Sequence, residues 1–594
     1  MYKPAPPRPK KTNIVRTRTG CKECRRRRKK CDEKKPSCAT CMKLGRRCEP
    51  VYPNLVFHTS TPGGQQKHTG HDLSIPPESA SQRPACQTSH YSTQSSAEST
   101  LSPQGRNNND QPESYIEQPD SLDGEHNLVS PRLFPGVLQH RNTTEPIRFY
   151  INVWRHQCLP ALHLAFHPLE SNNSSPRLIK DIIIALSACR LSRALPQKKI
   201  CNALGIPGLV LRPDTGHEAL SHQHYGKVMR KIANWSSEDF NVNPTFSVAI
   251  LVLFCYLESS MGNFREFRVH SDGIKRMIQS FPQSAIVKGA DPLAAWVEVE
   301  IQNWWRRVYF STPEFHRTHD SLQLHTHLET VLNTADHRRA TILLLLCESH
   351  RLSTMAVVSC WEDPEHTSLT EYAKLLEAQS TKLEDWLFRL PSFELPTSGD
   401  VEQEHTAYTD TGLRIQPLCF RSHISAMNFA YYITARAMQC YGPLELLQGA
   451  DLNSAYEEVE SWILVILQIA AGIDWAECVR LNIYTLGFAN LLLACVLRSH
   501  SLAIGLWIQN WLEERLKGDE PEEGNFPVSQ IMGALRLVNA ERRDGRDVFA
   551  LFQTVDDEGG CGKLGSYCSQ RLVMLQVYGR CRVTGRKYSY RKAV

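Results

Sequence analysis

The chain has 594 residues, of which 41% are hydrophobic and 22% are charged, and its formal net charge is +6. The longest uninterrupted apolar run, 248–257, is shorter than the roughly 18 residues that a membrane span needs. Met1 is followed by a proline-rich basic segment without an apolar core, so secretion is not expected either. These features predict a soluble protein that does not enter a membrane and is long enough for a large core.

Positive charge is concentrated at the N terminus. Residues 1–50 contain 18 Lys and Arg against 4 Asp and Glu, a formal charge of +14, which leaves −8 for the remaining 544 residues. The six consecutive cations at 25–30 repel one another and are expected to find their partner in a phosphate backbone. A nuclear localisation signal is the other interpretation, and both roles can hold in one protein. We expect a basic, disordered arm at 1–20, followed by a DNA-binding segment.

Six cysteines with the spacing C-x2-C-x6-C-x6-C-x2-C-x6-C dominate residues 21–50. They are Cys21, Cys24, Cys31, Cys38, Cys41 and Cys48. The two halves of this pattern repeat the same intervals. Zinc takes four ligands in a tetrahedron, so two zinc ions need eight ligand positions, and six thiolates fill eight positions only if two of them bridge both ions. The spacing therefore predicts a domain at 21–50 that is folded around two Zn²⁺ ions.

Two other interpretations of the cysteines are weaker. Four of them, read as C-x2-C-x13-C-x2-C, would form a single-zinc finger, but Cys31 and Cys48 would then have no role despite their matching offsets. A disulfide framework belongs to secreted chains, and the N terminus has no secretory signal. The cluster with two zinc ions remains the favoured interpretation.

Segment 21–32, with the sequence CKECRRRRKKCD, and segment 36–41, with the sequence PSCATC, resemble the fungal binuclear zinc cluster regulators. The resemblance implies that Cys21 and Cys38 are the bridging ligands and that Pro36 forms a cis peptide bond between the halves. It also implies that the end of the first helix reads a short G/C-rich triplet in the major groove of double-stranded DNA. The expected function is that of a nuclear regulator of transcription by RNA polymerase II.

This resemblance places the base-reading roles on Arg27 and Arg28. Many members have lysine at the second of these positions, whereas an arginine can bind O6 and N7 of guanine in a bidentate manner. Five further cations are expected to bind phosphates, where charge fixes the register without reading the sequence. They are Lys22, Arg25, Lys43, Arg46 and Arg47.

Residues 51–142 are rich in Ser, Gln, Pro, Asn, Thr and His and show neither a helical nor a strand period. This composition predicts a disordered linker. Within it, 110–125 contain six acids and no Lys or Arg, which fits an acidic activation patch or an ordinary solvated linker. No heptad repeat follows Cys48, so a homodimer would have to form through another part of the chain, such as the helical domain.

Helical periodicity dominates 143–553. Ser175 and Pro176 provide an N-cap and a first-turn proline, and Leu178, Ile182 and Cys189 lie on one apolar face of the helix that follows. Further apolar stretches occur at 248–257, 341–347, 461–471 and 490–497. We expect an all-α regulatory domain, so the whole chain is a small zinc-stabilised binuclear cluster domain and a large all-α regulatory domain joined by a disordered linker.

Parts of 145–550 also resemble the fungal-specific transcription factor domain. The resemblance rests on Trp154 with Leu159-Pro160, on 182–191, and on 258–262 followed by His270 and Gly273. It implies a helical domain that senses an effector or dimerises, and transcription co-regulators are expected partners.

Catalysis is not expected. His217 and His222 are five positions apart, which turns the second by about 140° from the first, whereas a zinc protease needs a separation of four. The alternative is an enzyme or metabolite-binding protein that the zinc cluster tethers to DNA, and a scaffold with a degenerate DNA reader is a third interpretation. Residues 554–594 fit no pattern and form an unassigned C-terminal tail.

Overall fold

The computed structural model describes residues 22–27, 31–32, 37–46, 48, 146–170, 177–194, 197–200, 209–236, 239–240, 243–310, 313, 326–332, 337–362, 368–397, 405–446, 456–516, 521–524, 526–553 and 574–593. The chain divides into two compact units, Met1–Pro119 and Asp120–Val594. The predicted arm at 1–20 and the predicted linker at 51–142 lie outside the described residues.

The described part of the N-terminal unit contains two short helices, α1 (Lys22–Arg26) and α2 (Ala39–Lys43). Cys38 is the N-cap of α2, and its Sγ accepts a hydrogen bond from the backbone N–H of Cys41. Gly45 follows α2 with a φ of 59°, a left-handed conformation that glycine adopts without a Cβ penalty. Each helix therefore begins at a C-x2-C pair, as the repeated spacing suggests.

The large unit is mostly helical, which confirms the predicted fold class. Its first helices are α3 (Pro146–Val153), α4 (Arg177–Ala194), α5 (Thr215–Ile232), α6 (Pro244–Met261), α7 (Phe264–Ser280), α8 (Gln283–Lys288), α9 (Ala290–Phe310), α10 (Thr326–Leu332), α11 (Arg338–Glu362) and α12 (Leu369–Phe388). They are followed by α13 (His423–Gln439), α14 (Gly442–Glu445), α15 (Glu457–Gly472), α16 (Trp475–Leu481), α17 (Phe488–Val496), α18 (Leu502–Arg515) and α19 (Val528–Arg543).

Shorter elements connect these helices. A π-helix, Trp154–Cys158, continues α3, and 3-10 turns occupy Leu159–Ala161, Leu164–Glu170 and Ser392–Glu394. Within the described ranges, three two-stranded antiparallel sheets lie between helices. They pair β1 (Gln197–Ile200) with β2 (Leu209–Arg212), β3 (Thr406–Ala407) with β4 (Arg414–Ile415), and β5 (Glu522–Glu523) with β6 (Phe526–Pro527).

The four apolar stretches that the sequence assigned to helices lie in α6, α11, α15 and at α17. In the core, α6 packs on α9, α9 on α11, α11 on α13, and α13 on α15 and α17. The predicted apolar face of α4, which includes Leu178, Ile182 and Cys189, is buried as expected. Most of the other side chains of α4 are buried as well, because the helix contacts α3, α5, α6 and the π-helix.

Among the described residues, two helices are long and apolar enough to span a membrane, if length and composition alone are considered. They are α6, with a mean hydropathy of 1.5, and 338–361 within α11, with 1.3; α15 and α16 would pass together as a span broken by a 92° bend. The expectation from uninterrupted runs missed them, because short polar stretches such as 348–351 in α11 and 258–260 in α6 interrupt an apolar run while the mean hydropathy over 18 residues stays high. In this fold 72% of each of the two segments is buried. The absence of membrane contact stays a prediction.

The C-terminal part of the large unit is a sheet, which the sequence did not predict. Strands β7 (Arg546–Gln553), β8 (Met574–Cys581) and β9 (Lys587–Ala593) form an antiparallel sheet in the order β7-β8-β9. The domain at 143–553, which was expected to be helical throughout, therefore ends in strand β7. Strands β8 and β9 lie in the unassigned tail, where β8 pairs with β7 and β9 pairs with β8. Gly579 of β8 admits no side chain, because a Cβ there would overlap the ring of Tyr588 in β9.

Burial explains why β7 lacks the alternating pattern of a strand. Val548 and Leu551 belong to the main hydrophobic core, whereas Phe549 and Phe552 belong to a second cluster that also includes Val357 of α11. The pairing with β8 shifts register between Val548 and Ala550. A strand with both faces buried has a continuous apolar sequence, so its period does not distinguish it from a buried helix.

Glu258, in the last turn of α6, is 2% exposed, and burial raises its pKa to about 7 against the effect of hydrogen bonds from Tyr225 and Asn263. When a carboxyl has a higher pKa in the folded state than in the unfolded state, the protein loses stability as the pH rises from the unfolded-state pKa to the folded-state pKa. We therefore expect Glu258→Gln to raise the free energy of unfolding by up to about 3 kcal/mol at pH 8 and to change it little at pH 4.

Urea unfolding of the unaltered protein and of Glu258→Gln, each at pH 4 and pH 8, measures this difference in the free energy of unfolding. Glu377→Gln, on an exposed position of α12, is the control for the removal of a carboxylate and should change the free energy of unfolding by less than about 0.5 kcal/mol. An equal effect of Glu258→Gln at pH 4 and pH 8 would contradict a buried carboxyl with a raised pKa.

Candidate zinc centre and nucleic-acid interface

The structure brings five of the six predicted ligands together in the N-terminal unit. The Sγ atoms of Cys24, Cys38 and Cys41 all lie within 4.8 Å of one another. The Sγ atoms of Cys31 and Cys38, with a carboxylate oxygen of Asp32, form a second such group. Cys48 joins them, because its Sγ accepts a hydrogen bond of 3.3 Å from the backbone N–H of Cys38. Cys21 and Pro36 lie outside the described residues.

The sulfur geometry fits zinc. In a ZnS₄ tetrahedron with Zn–S distances of about 2.3 Å, neighbouring sulfurs are about 3.8 Å apart. The sulfurs of Cys24 and Cys38 are 3.6 Å apart, and neither residue forms a disulfide. Cys24, Cys31, Cys38 and Cys41 are all buried. Buried thiols at this spacing, without a disulfide, are the donor set that zinc prefers.

Cys38 occupies a special position because it belongs to both groups of potential ligands. The backbone N–H of Cys41 donates to its Sγ at 3.3 Å, and this hydrogen bond holds the pKa of Cys38 below its ordinary value. A thiolate at the start of a helix is also favoured by the helix dipole. This placement is compatible with the bridging role that the family resemblance implies for Cys38.

Two carboxylates organise the cluster domain, and sequence reasoning assigned a role to neither. Asp32 accepts a hydrogen bond of 3.0 Å from the backbone N–H of Ala39 in the first turn of α2. Glu23, in α1, binds Arg26 and also Arg46, which follows α2. Hydrogen bonding to Arg26 lowers the pKa of Glu23. The spacing of three between Glu23 and Arg26 is a recognisable helical pair, whereas the contact with Arg46 depends on the tertiary fold.

The predicted DNA-contacting residues are only partly described. Arg27 is exposed at the end of α1, and Lys43 is exposed in the last turn of α2. Arg46 is exposed as well but forms an ion pair with Glu23. The residues Arg28 and Arg47 and the side chains of Lys22 and Arg25 lie outside the described part of the chain. The assignment of bases and phosphates to these residues stays a prediction.

Buried polar groups of the large unit pair across helices. The Tyr225 hydroxyl lies 2.7 Å from Nε2 of His270, which joins α5 to α7. Glu523 accepts hydrogen bonds from the backbone N–H groups of Phe488 and Ala489 and so caps α17. In the described parts of the chain, clusters of three or more potential metal ligands occur among the N-terminal cysteines and not in this unit. These pairs have evident structural roles.

Comparison with known proteins finds a family match for one segment of the N-terminal unit. Residues 19–55 match the sequence model of the Fungal Zn(2)-Cys(6) binuclear cluster domain, a domain that binds two zinc ions. The cysteines described above are therefore potential ligands of two Zn²⁺ ions, and their geometry fits this cofactor.

Several curated proteins are similar to this chain over short segments. The transcriptional regulatory protein moc3 of Schizosaccharomyces pombe is 50% identical over 66 residues, 11% of this chain and 13% of moc3. The transcription activator AMTR1 of Alternaria alternata is 56% identical over 43 residues, 7% of this chain and 6% of AMTR1. The lysine biosynthesis regulatory protein LYS14 of Saccharomyces cerevisiae is 55% identical over 42 residues, 7% of this chain and 5% of LYS14.

The matched segments thus span about an eighth or less of each relative's length. No solved structure has significant similarity to the chain.

Proposed function

We propose that this chain, whose residues 19–55 are a fungal Zn(2)-Cys(6) binuclear cluster domain, is a nuclear, sequence-specific DNA-binding regulator of transcription by RNA polymerase II. The observation that carries the proposal is the cluster of buried thiols within a segment of strongly positive charge. Relatives that are named as regulators and activators of transcription support it. Catalysis is not part of the proposed role.

Zinc has a structural role in this proposal. The proposed ligands are the six cysteines at 21, 24, 31, 38, 41 and 48, with Cys21 and Cys38 bridging the two ions. When bound, the ions cross-link a segment that is too short to build a hydrophobic core of its own. The thiolates then fix α1 relative to α2, so the cations at the end of α1 are held in one orientation.

Base reading is assigned to Arg27 and Arg28, which would enter the major groove and bind a short G/C-rich triplet. The internal repeat of the cluster domain supports base reading by its first half alone. Because the halves are offset by 17 residues, Leu44 and Gly45 occupy the positions in the second half that correspond to Arg27 and Arg28. Only the first half therefore offers guanidinium groups at this point.

The remaining cations would bind phosphates and set the register of the domain on DNA; they are Lys22, Arg25, Lys43, Arg46 and Arg47. We assign the large helical unit a regulatory role, in which it binds co-regulators or forms a homodimer. The sequence resemblance to the fungal-specific transcription factor domain supports this assignment.

Arg28→Ala tests base reading. If its guanidinium pairs with guanine, we expect a loss on the order of 1–3 kcal/mol at the preferred site and weaker discrimination between sites. Lys43→Ala removes an exposed cation that is proposed to bind a phosphate. It should weaken the binding of all sequences about equally and reduce the slope of log K against log salt by roughly 0.9.

Both variants are titrated with a G/C-triplet duplex and a scrambled duplex at several salt concentrations. A parallel loss on both duplexes for Arg28→Ala would make Arg28 a phosphate contact and move base reading to Arg27. Equal affinity of the unaltered protein for both duplexes, across a panel of triplets, would refute sequence-specific binding.

A further inference from the structure

The carboxylate of Glu23 is shared by two guanidinium groups from different parts of the cluster domain. Arg26 donates from Nε to Oε2 and from Nη2 to Oε1, both at 3.0 Å. Arg46 donates from Nη1 to the same Oε1 at 3.2 Å. The Glu23 side chain is 16% exposed, whereas those of Arg26 and Arg46 are 66% and 53% exposed. The carboxylate is thus largely covered, and the two cations face solvent.

The two arginines are engaged to different degrees. Arg26 commits one full edge of its guanidinium group to Glu23, in the bidentate geometry that gives the strongest pairs with carboxylates. Arg46 uses a single N–H on Glu23, so its other donors remain available to a phosphate. Glu23 is also the one acid in 22–30, a stretch with seven cations. The ion pair therefore neutralises Arg26 and orients Arg46.

We propose that Glu23 is a specificity-determining positioning residue that withholds Arg26 from DNA phosphates, so that non-specific binding is limited. This inference rests on the proposed DNA-binding function. The ion pair between Glu23 and Arg26 reduces the effective charge of the run at 25–30 by one without removing any of the cations that are proposed to contact DNA.

Counterion release explains why the effect should differ between DNA sequences. Non-specific affinity comes almost entirely from phosphate contacts, which form in many registers, so a released Arg26 finds a phosphate in most of them. A specific complex is held in one register by its base contacts. In that register an additional cation increases the affinity only if a phosphate lies opposite it. Releasing Arg26 should therefore strengthen non-specific binding more than specific binding.

The test uses the full-length, zinc-loaded protein with the preferred G/C-triplet duplex and a scrambled duplex. For Glu23→Gln we expect the affinity for the scrambled duplex to rise about three- to ten-fold, with a salt slope steeper by roughly 0.9. Affinity for the preferred duplex should change less than about two-fold, because its register is already fixed. Glu49→Gln changes the net charge of the segment equally and should not alter the ratio of the two affinities.

A second pair of variants tests the same idea without altering Glu23. Arg25→Gln and Arg26→Gln remove neighbouring cations of identical chemistry. Arg25→Gln should lower the scrambled-duplex affinity several-fold and reduce the salt slope by roughly 0.9, whereas Arg26→Gln, which leaves Glu23 paired with Arg46 alone, should lower the affinity less. Adding Arg26→Gln to Glu23→Gln should reverse the gain seen with Glu23→Gln alone.

Three outcomes would overturn the inference. The first is a parallel rise on both duplexes for Glu23→Gln, and the second is an equal loss for Arg25→Gln and Arg26→Gln. The third is a gain in scrambled-duplex affinity with Glu23→Gln that persists when Arg26→Gln is added. In each case the unaltered protein still prefers its site, so the proposed function survives. If the unaltered protein shows no preference, the proposed function itself fails.

Discussion

Cys38→Ala is expected to release both zinc ions and to abolish DNA binding, whereas Cys24→Ala should remove one ligand from one ion. Cys38 belongs to both groups of potential ligands and is the N-cap of α2, so its loss would affect both metal sites and the second helix. Each structural zinc contributes on the order of 10 kcal/mol or more to the folding of a small domain, which is more than such a domain can lose.

Elemental analysis of the purified variants gives the number of zinc ions per chain. The unaltered protein should hold two, Cys38→Ala close to none, and Cys24→Ala at least one. Cys158→Ala, which alters a buried cysteine of the large unit, is the control and should retain two. Equal zinc loss from Cys24→Ala and Cys38→Ala would contradict a bridging Cys38, and one zinc in the unaltered protein would contradict the binuclear site.

Deleting residues 574–593 is expected to unfold the large unit. The deletion removes β8 and β9, including Leu575 and Val577, which are buried against β7 in the main core. It also removes Arg582, which pairs with the buried carboxylate of Asp547, and Lys592, one of two cations that pair with the buried carboxylate of Glu541. Each buried aliphatic side chain and each broken buried ion pair costs several kcal/mol, and together they exceed the net stability of a typical domain.

Point variants make the same prediction quantitative. Leu575 is 1% exposed, so Leu575→Ala should lower the free energy of unfolding by about 2–5 kcal/mol. Met574, its neighbour in β8, is 41% exposed, and Met574→Ala is the control with an expected change below about 0.5 kcal/mol. Chemical unfolding followed by circular dichroism measures both. Equal effects of the two substitutions would mean that β8 does not pack as described.

The cluster could be predicted from the sequence because its determinants are local. Cysteine spacing and the tetrahedral preference of zinc together demand a compact arrangement, and Cys24, Cys31, Cys38 and Cys41 indeed lie together. The ion pair between Glu23 and Arg46 could not be predicted, since 23 positions separate the two residues and only the arrangement of both halves brings them into contact.

The helical elements of the large unit were predictable where apolar runs are long, as in α6 and α11. The sheet was not, for two physical reasons. The apolar sequence of β7 packs into two separate hydrophobic clusters and therefore shows no alternation. Its partner β8 begins 21 positions after the end of β7, so no short hairpin turn marks the pairing. Sequence patterns report local periodicity, whereas the burial of β7 and its pairing with β8 both depend on residues that are distant in the sequence.

The late position of β8 and β9 affects how the protein folds during synthesis. Strand β7 contacts α9, α11 and α19, yet its ladder partner β8 leaves the ribosome after all of these helices. Until β8 is synthesised, the nascent large unit therefore exposes an unpaired edge of β7 and the apolar surface that β8 covers, and such surfaces favour aggregation. The cysteine segment at 21–48 emerges hundreds of residues earlier and can acquire zinc while translation continues.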